Sequence, residues 1–414
     1  MKDRREILRS SLTEHVLAAI DGSRELSDEE LRELIERTIR EHTKELSLSM
    51  AERRTAKRDV FHALRGLDVL QEMMDDPGIT EIMVNGPKEV FYEKDGELFR
   101  SGVRFSGERR LQDVIQKIAS GVNRAVNEAN PIVDARLPDG SRVNIVLPPV
   151  ALDGPAVTIR KFPKERITME RLIALGSISR EAAAFLETLV KAGYNIFVSG
   201  GTGSGKTTML NALSDYIPPD ERVVTIEDSA ELQIAGVPNL VRLEMRNANA
   251  EGNHAITIRD LIKTSLRMRP SRIVVGEVRD AASIDMLQSL NTGHNGMSTG
   301  HANSPADMLS RIETMTLLGE EIPLLAVRKQ IASAIEVIIQ LGRLRDKSRK
   351  VVEITEILAC VDGEILLNPL YVFRETGETA DGRIEGELRP TGNCLTRRNK
   401  LLAAGLTLPE GVVV

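Results

Sequence analysis

The sequence predicts an α/β protein: a P-loop domain on a largely parallel sheet, preceded by a smaller α+β domain and a helical N-terminal extension. Three observations point there. Residues 200–207 read Gly-Gly-Thr-Gly-Ser-Gly-Lys-Thr between an apolar strand and a helix. Downstream, apolar runs at 223–226 and 273–275 alternate with helical patterns, as in a mostly parallel sheet. Upstream, Asn85-Gly86 and Asp95-Gly96 separate short β-rich runs, which are strong hairpin signals.

Length and composition agree with that plan. At 414 residues the chain exceeds what one core usually supports, so two domains with extensions are expected. Hydrophobic residues make up 41% and charged residues 28%, the balance of an ordinary globular chain. A net charge of −6, 3% aromatics and no Trp argue against a nucleic-acid partner, which would favour a basic surface and stacking rings. Cys360 and Cys394 are too few for a disulfide framework or a four-thiolate zinc site. The opening MKDRREILRSSL lacks the apolar core of a signal peptide. No stretch reaches the ~18 uncharged apolar residues of a membrane span, and the nearest, 322–341, is broken by Arg328, Lys329 and Glu336. A cytoplasmic protein that meets the membrane only through partners is the expectation.

Along the chain, residues 1–58 read as charged helices. Ser27-Asp-Glu-Glu30 is a capping box, and Leu31, Leu34, Ile35 and Ile39 follow at helical spacing, as on a solvated helix packed along one side. Residues 59–162 form the α+β domain: a helix through Met74, stopped by Asp75-Asp76-Pro77-Gly78, then strands near 80–84, 90–93 and 98–105. A helix over 108–122 and strands at 143–147 and 157–162 complete it. Residues 163–178 are a polar hinge, and 179–414 the P-loop domain. This last region opens with a helix at 180–192 and a strand at 194–199. It closes with a helix at 326–340, a hairpin over 351–361 and 365–373, and a helical tail at 397–404.

The chemistry concentrates around the loop. Gly200, Gly201, Thr202, Gly203, Ser204, Gly205, Lys206 and Thr207 fit Gly-x4-Gly-Lys-Thr, in which glycines let backbone N–H groups converge on phosphate oxygens. Lys206 then reaches the β- and γ-phosphates and the Thr207 hydroxyl joins a magnesium shell. The next helix aims its positive N-terminus at the same anion. ATP and Mg2+ are the implied cofactors, since the Asn-Lys-x-Asp clamp for guanine is missing: Asn399-Lys400 continues with Leu-Leu.

Residues 273–277, Ile-Val-Val-Gly-Glu, end an apolar strand on Glu277, the candidate base, while Gly276 stands where many P-loop enzymes place a magnesium-binding Asp. Residues 223–228 end on Glu227 and Asp228, with Glu231 beyond. They can hold magnesium-bound water or orient the nucleophile, though the spacing alone also fits a solvated loop. Thr207, Glu227 and Glu277 are thus the metal candidates. His294 and His301 lie seven residues apart in a polar, glycine-rich stretch, not at a zinc-ligand spacing, and suit a γ-phosphate sensor. Arg136, Arg142, Arg160, Arg267 and Arg269 are candidates to neutralise charge on a transferring phosphate.

Together these blocks resemble the ATPases of type II and type IV secretion and pilus assembly, and within them the CpaF type of the Flp/Tad pilus. The carriers are 200–208 (GGTGSGKTT), which brings in Thr208, 225–231 (TIEDSAE), 269–279 (RPSRIVVGEVR) and 292–304 (TGHNGMSTGHANS). Residues 79–89 (ITEIMVNGPKE), 311–315 (RIETM) and 331–345 carry the narrower likeness. The resemblance implies a RecA-like core, a PAS-like N-terminal domain, a homohexameric ring and inner-membrane platform proteins as partners. It also implies arginines of the N-terminal domain, Arg136, Arg142 and Arg160, that approach the nucleotide. Traffic ATPases of type IV or type II secretion are the alternative within the superfamily, and a RecA-like DNA motor a more distant one. Ser271 departs from the acidic residue usual at its position, and the four-cysteine motif of many type II members is missing.

Overall fold

Ser27 begins its helix as the sequence requires: its backbone N–H bonds the Glu30 carboxylate at 2.8 Å, and its hydroxyl accepts from Glu30 N–H at 3.2 Å. This computed structural model describes residues 2–20, 26–42, 48–122, 124–163, 166–246 and 255–409. The chain divides into two units, Met1–Lys164 and Glu165–Val414.

The first unit starts with helices α1 (Lys2–Ala19), α2 (Asp28–His42) and α3 (Met50–Leu64). Leu31, Leu34, Ile35 and Ile39 of α2 are buried against Leu12 and Val16 of α1 and Ala56 and Val60 of α3. The apolar stripe therefore closes a small three-helix core, the one-sided packing its spacing implies. The helix expected through Met74 is interrupted after Leu64 and resumes as a short 3₁₀ turn and α4 (Gln71–Asp75).

Strands β1 (Ile79–Asn85), β2 (Glu89–Lys94) and β3 (Glu97–Arg100), helix α5 (Glu108–Gly121), and strands β4 (Ile132–Arg136), β5 (Arg142–Val146) and β6 (Ala156–Arg160) follow. They build a six-stranded antiparallel sheet in the order β3-β2-β1-β6-β5-β4. One face of α5 (Leu111, Val114, Ile115, Ile118) shares a core with Ile82, Val84, Val143, Ile145, Val157 and Ile159. Asp95 and Gly96 both take positive φ, 53° and 76°, the turn that matches strand twist in a two-residue hairpin. Strand β4 was not legible in the sequence.

The second unit contains α6 (Met169–Ala174), α7 (Arg180–Lys191), β7 (Ile196–Gly200), α8 (Lys206–Ser214), β8 (Arg222–Glu227), β9 (Asn239–Glu244), α9 (Ile258–Ser265), β10 (Arg272–Val275), α10 (Ala282–Asn291) and β11 (Asn295–Gly300). After these come α11 (Pro305–Gly319), α12 (Leu324–Ala334), β12 (Val337–Arg343), β13 (Arg349–Val361), β14 (Glu364–Glu378), β15 (Ile384–Pro390) and α13 (Asn399–Ala404). Its nine strands run in the order β15-β14-β13-β12-β7-β11-β10-β8-β9. From β12 to β9 every pairing is parallel, and from β12 to β15 every pairing is antiparallel. Helices α7 and α8 close one apolar core, and α10, α11 and α12 close another. This is a RecA-like P-loop layer.

Three expectations change here. Of the hinge expected over 163–178, Lys164 and Glu165 lie outside the described residues, while α6 buries Met169 and Leu172 in the second unit's core. The helix expected over 326–340 stops at Ala334. Val337, Ile338, Ile339, Gln340 and Leu341 are all buried in β12 beside β7, and a strand buried on both faces reads as an unbroken apolar run. The glycine-rich stretch holding both histidines contains strand β11 and not one loop.

Candidate active site

Strands β7, β8, β10 and β11 are parallel, so their C-terminal ends come out on one edge of the sheet, where open α/β sheets place ligands. Gly200 ends β7 and is buried, Gly201, Thr202 and Gly203 are exposed, and Ser204 is buried with its hydroxyl donating to the Gly201 carbonyl at 2.8 Å. Gly205 caps α8 with φ 97°, a left-handed conformation that a side chain at this position would strain. Lys206, Thr207 and Thr208 form the first turn of α8.

Lys206 is buried; its ammonium donates to the Gly201 carbonyl at 3.0 Å and lies 3.3 Å from His301 Nδ1. The other nitrogen of the same ring, Nε2, is 3.2 Å from Glu277 Oε1. One imidazole thus joins the loop lysine to the strand-end acid. Glu277 Oε2 accepts from Arg279 at 2.7 Å, and the Arg279 guanidinium lies 3.2 Å from Asp228 Oδ2. Burial alone would raise the Glu277 carboxyl, but the Arg279 hydrogen bond and charge, with His301 and Lys206, hold it below the usual carboxylate range. His301 is held below its ordinary value by burial and by the neighbouring Lys206 charge, against the pull of Glu277.

Glu227 ends β8 deep in the domain. Its Oε2 accepts from the backbone N–H groups of Glu231 and Leu232 at 2.7 and 2.8 Å, while Oε1 is buried with no hydrogen-bond partner. Burial pushes its carboxyl up to about 6, partly offset by those two N–H groups. A Cβ on Gly276 would stand 3.0 Å from Glu227 Cγ. The residue that replaces the usual Asp therefore leaves room for a carboxylate from the neighbouring strand. Glu231 in turn accepts from the Thr207 hydroxyl at 3.4 Å.

Several sequence candidates are elsewhere. His294 precedes the first residue of β11, where its Nδ1 faces the Ser289 carbonyl and the Thr292 hydroxyl. At about 3.3 Å per residue, six strand residues separate it from His301 by roughly 20 Å, so it belongs to the opposite edge of the sheet. Arg267 is exposed on the N-terminal side of β10, also away from the loop in its own chain. Arg136, Arg142 and Arg160 belong to the first unit. There they occupy facing positions on three adjacent strands, Arg136 opposite Arg142 and Arg142 opposite Arg160.

The sequence reading missed Arg279 as a site residue, although it stands two residues after Glu277. It also missed Arg349, whose Nε donates to the Gly203 carbonyl of the loop at 2.8 Å. Nothing local announces that contact across 146 positions.

Comparison with known proteins fits this geometry. The family described as Type II/IV secretion system protein matches residues 63–383. The chain belongs to that family. A Mycobacterium tuberculosis protein (strain ATCC 25618 / H37Rv) that carries a provisional conjugal transfer name is 38% identical over 309 residues, covering 73% of this chain and 87% of that protein. The type IV secretion system protein PtlH of Bordetella pertussis is 32% identical over 315 residues, covering 70% and 93%. Among solved structures, the Yersinia pseudotuberculosis ATPase DotB superposes with a TM-score of 0.52 at 18% identity, covering 71% of this chain and 79% of that one, a likeness of fold. Among the described residues of this secretion-family chain, no helix is long and apolar enough to cross a membrane.

Proposed function

We propose that this secretion-family protein hydrolyses ATP with magnesium and that the reaction drives a type IV secretion traffic machine. The observation that carries the enzymatic reading is the line from Lys206 through His301 to Glu277, with steps of 3.3 and 3.2 Å. It ties the residue that meets the phosphates to the residue placed to accept a proton from water.

The chain's own parts divide the work. Backbone N–H groups of the loop and the N-terminus of α8 cradle the phosphates, and Lys206 balances their charge. Glu277 takes the proton of the attacking water, and His301 relays to it whether Lys206 has a phosphate partner. Thr207 and Glu277 would hold magnesium, with Glu227 behind them, its orphaned Oε1 a further oxygen for a metal-bound water. Among the described residues no cluster of three or more ligating side chains forms a ready cage, which suits an ion that takes most of its shell from phosphates and water. Bound there, magnesium neutralises charge on the phosphate oxygens. Arg136, Arg142 and Arg160 would supply further positive charge from the first unit. They occupy facing positions on three adjacent strands, and Arg160 also lies 3.6 Å from Glu81 Oε1.

The working form is a homo-oligomer, a hexameric ring, that stays in the cytoplasm and reaches the membrane through inner-membrane partners. The relatives' names, conjugal transfer and type IV secretion, favour a traffic ATPase over the Flp/Tad pilus motor that the narrower motifs suggest. The pilus reading keeps one specific support, the strings at 79–89, 311–315 and 331–345.

Two measurements test this. Lys206→Ala should abolish tight ATP binding and turnover in a folded chain, and normal hydrolysis by that variant would remove the active-site assignment. Affinity purification from membranes should recover an integral-membrane partner that stimulates ATP turnover. Stimulation by DNA instead would replace the secretion reading with a DNA motor, and recovery of a pilus platform would restore the Flp/Tad reading.

A further inference from the structure

Arg279 reaches two acids at once. One guanidinium nitrogen donates to Glu277 Oε2 at 2.7 Å and another lies 3.2 Å from Asp228 Oδ2, so the side chain bridges the ends of β10 and β8. Glu231 adds its negative field to the same guanidinium. These acids come from the two strand ends on which the site is built, and they include the candidate base. Arg279 itself is more than half exposed, with 57% of its side chain accessible, while Glu277 is only 15% accessible. An exposed cation clamped onto a part-buried carboxylate is held by that carboxylate and not by packing.

This arrangement has a consequence for metal binding. A divalent cation that uses Glu277 or Asp228 oxygens, directly or through water, must contend with a guanidinium already bonded to them. A metal alone faces the full repulsion of that fixed charge. A metal arriving with a triphosphate brings phosphate oxygens that complete its shell and offer the guanidinium a new anionic partner. We infer that Arg279 is a positioning residue that makes divalent-cation binding conditional on nucleotide, by competing with the metal for Glu277 and Asp228. This inference rests on the ATPase reading of the site and goes beyond it: the cation preference of the acids is set by an arginine of the same chain.

The size of the effect follows from Coulomb's law. A unit charge and a divalent ion about 5 Å apart repel by more than 1 kcal/mol even at a water-like dielectric, so removing Arg279 should tighten metal binding about tenfold or more. The test is a titration of the full-length, nucleotide-free protein with Mn2+ alone, read by the EPR signal of the free ion. Arg279→Gln should show a dissociation constant at least about tenfold below that of the wild-type protein. Arg279→Lys, which keeps a cation but not the fork, should fall between the two. The double variant Arg279→Gln/Glu277→Gln should lose the gained affinity, which places the metal at these acids. With ATP saturating, where the phosphates give the guanidinium its other partner, the magnesium dependence of Arg279→Gln should differ from wild type far less than the nucleotide-free Mn2+ affinity does. Unchanged or weaker Mn2+ binding by Arg279→Gln overturns the inference, as does a double variant that keeps the tight binding. Thermal unfolding of each variant reports folding, which an exposed side chain should barely affect. The outcome is separable from the ATPase reading: hydrolysis by Lys206→Ala would remove that reading, whereas inert Lys206→Ala with unchanged Mn2+ affinity in Arg279→Gln removes only this inference.

Discussion

At the end of the second sheet away from the phosphate loop, Glu356 is wholly buried and fully engaged. It accepts from Thr396 N–H, the Thr396 hydroxyl and Arg397 N–H at 2.8–3.0 Å, and from the Asn368 amide at 2.8 Å. Nearby, Glu336 takes Asn195 N–H at 2.8 Å and Lys400 at 2.7 Å. At the loop end the acids are held differently. Glu227 keeps an unpartnered buried oxygen, and Glu277 is bonded to a mobile class of side chain, an exposed arginine, and to a titratable one, His301. Both ends bury carboxylates and both use backbone N–H groups, but at the loop end one Glu227 oxygen is left without a partner and Glu277 rests on side chains alone. Acids satisfied by their own chain pin the C-terminal segment to the sheet. Acids satisfied by displaceable partners can change partners during a reaction.

The largest expected effect concerns charge supplied to the loop end from outside its own unit. Arg142→Ala or Arg160→Ala in the full chain should cut ATP turnover by about 10³, the lower end of what a supplied arginine is worth, with melting unchanged. A turnover rate within a few-fold of wild type would confine the loop end's chemistry to the second unit. Glu277→Gln comes next: nucleotide binding by fluorescence should persist while the single-turnover rate falls about 100-fold, as for a lost general base. Normal hydrolysis by this variant would shift the base to Glu227 or Asp228 and blur the distinction between the acids.

The difference between the ends also explains what could be read from the sequence. The loop, the Ser27 capping box and the Asp95-Gly96 hairpin are local, so each was legible within a few residues. Strand β12 was not, because Val337–Leu341 is a strand through pairing with β13 on one side and with β7, about 140 positions upstream, on the other. His294 and His301 looked like one loop because glycines surround them, yet Gly296 and Gly300 lie inside β11, and the strand carries the two rings to opposite edges. The closed end was invisible for the same reason: Glu356 meets Thr396 and Arg397 about 40 residues later, in a tail whose sequence announces only a short helix.

That closed end yields the third prediction. Glu356→Ala leaves Thr396 and Arg397 N–H groups without their acceptor and should cost about 2 to 3 kcal/mol of stability by chemical denaturation. The rate per folded molecule should not change. If turnover falls in proportion to the loss of stability without unfolding, the two ends are coupled and the comparison fails.

The smallest effect tests whether Glu227 is held as an unfinished partner. Burial raises its folded value from 4.5 to about 6, so the folded chain binds this proton more tightly than the unfolded one does. The sign follows from linkage: the contribution is fully present below about pH 4.5 and disappears as pH rises through about 6, a change of about 2 kcal/mol at most. Glu227→Gln retains an oxygen to accept from Glu231 and Leu232 N–H but cannot ionise. Denaturant unfolding of both proteins, without nucleotide or divalent ions, gives the difference in stability at pH 4.5, 5.5 and 7, and every other titrating group cancels in it. Wild type should lose ground to the variant steadily across that range. A difference that stays constant with pH would mean that this carboxylate is as well accommodated as those at the far end, and the contrast between the two ends would then rest on Glu277 and Arg279 alone.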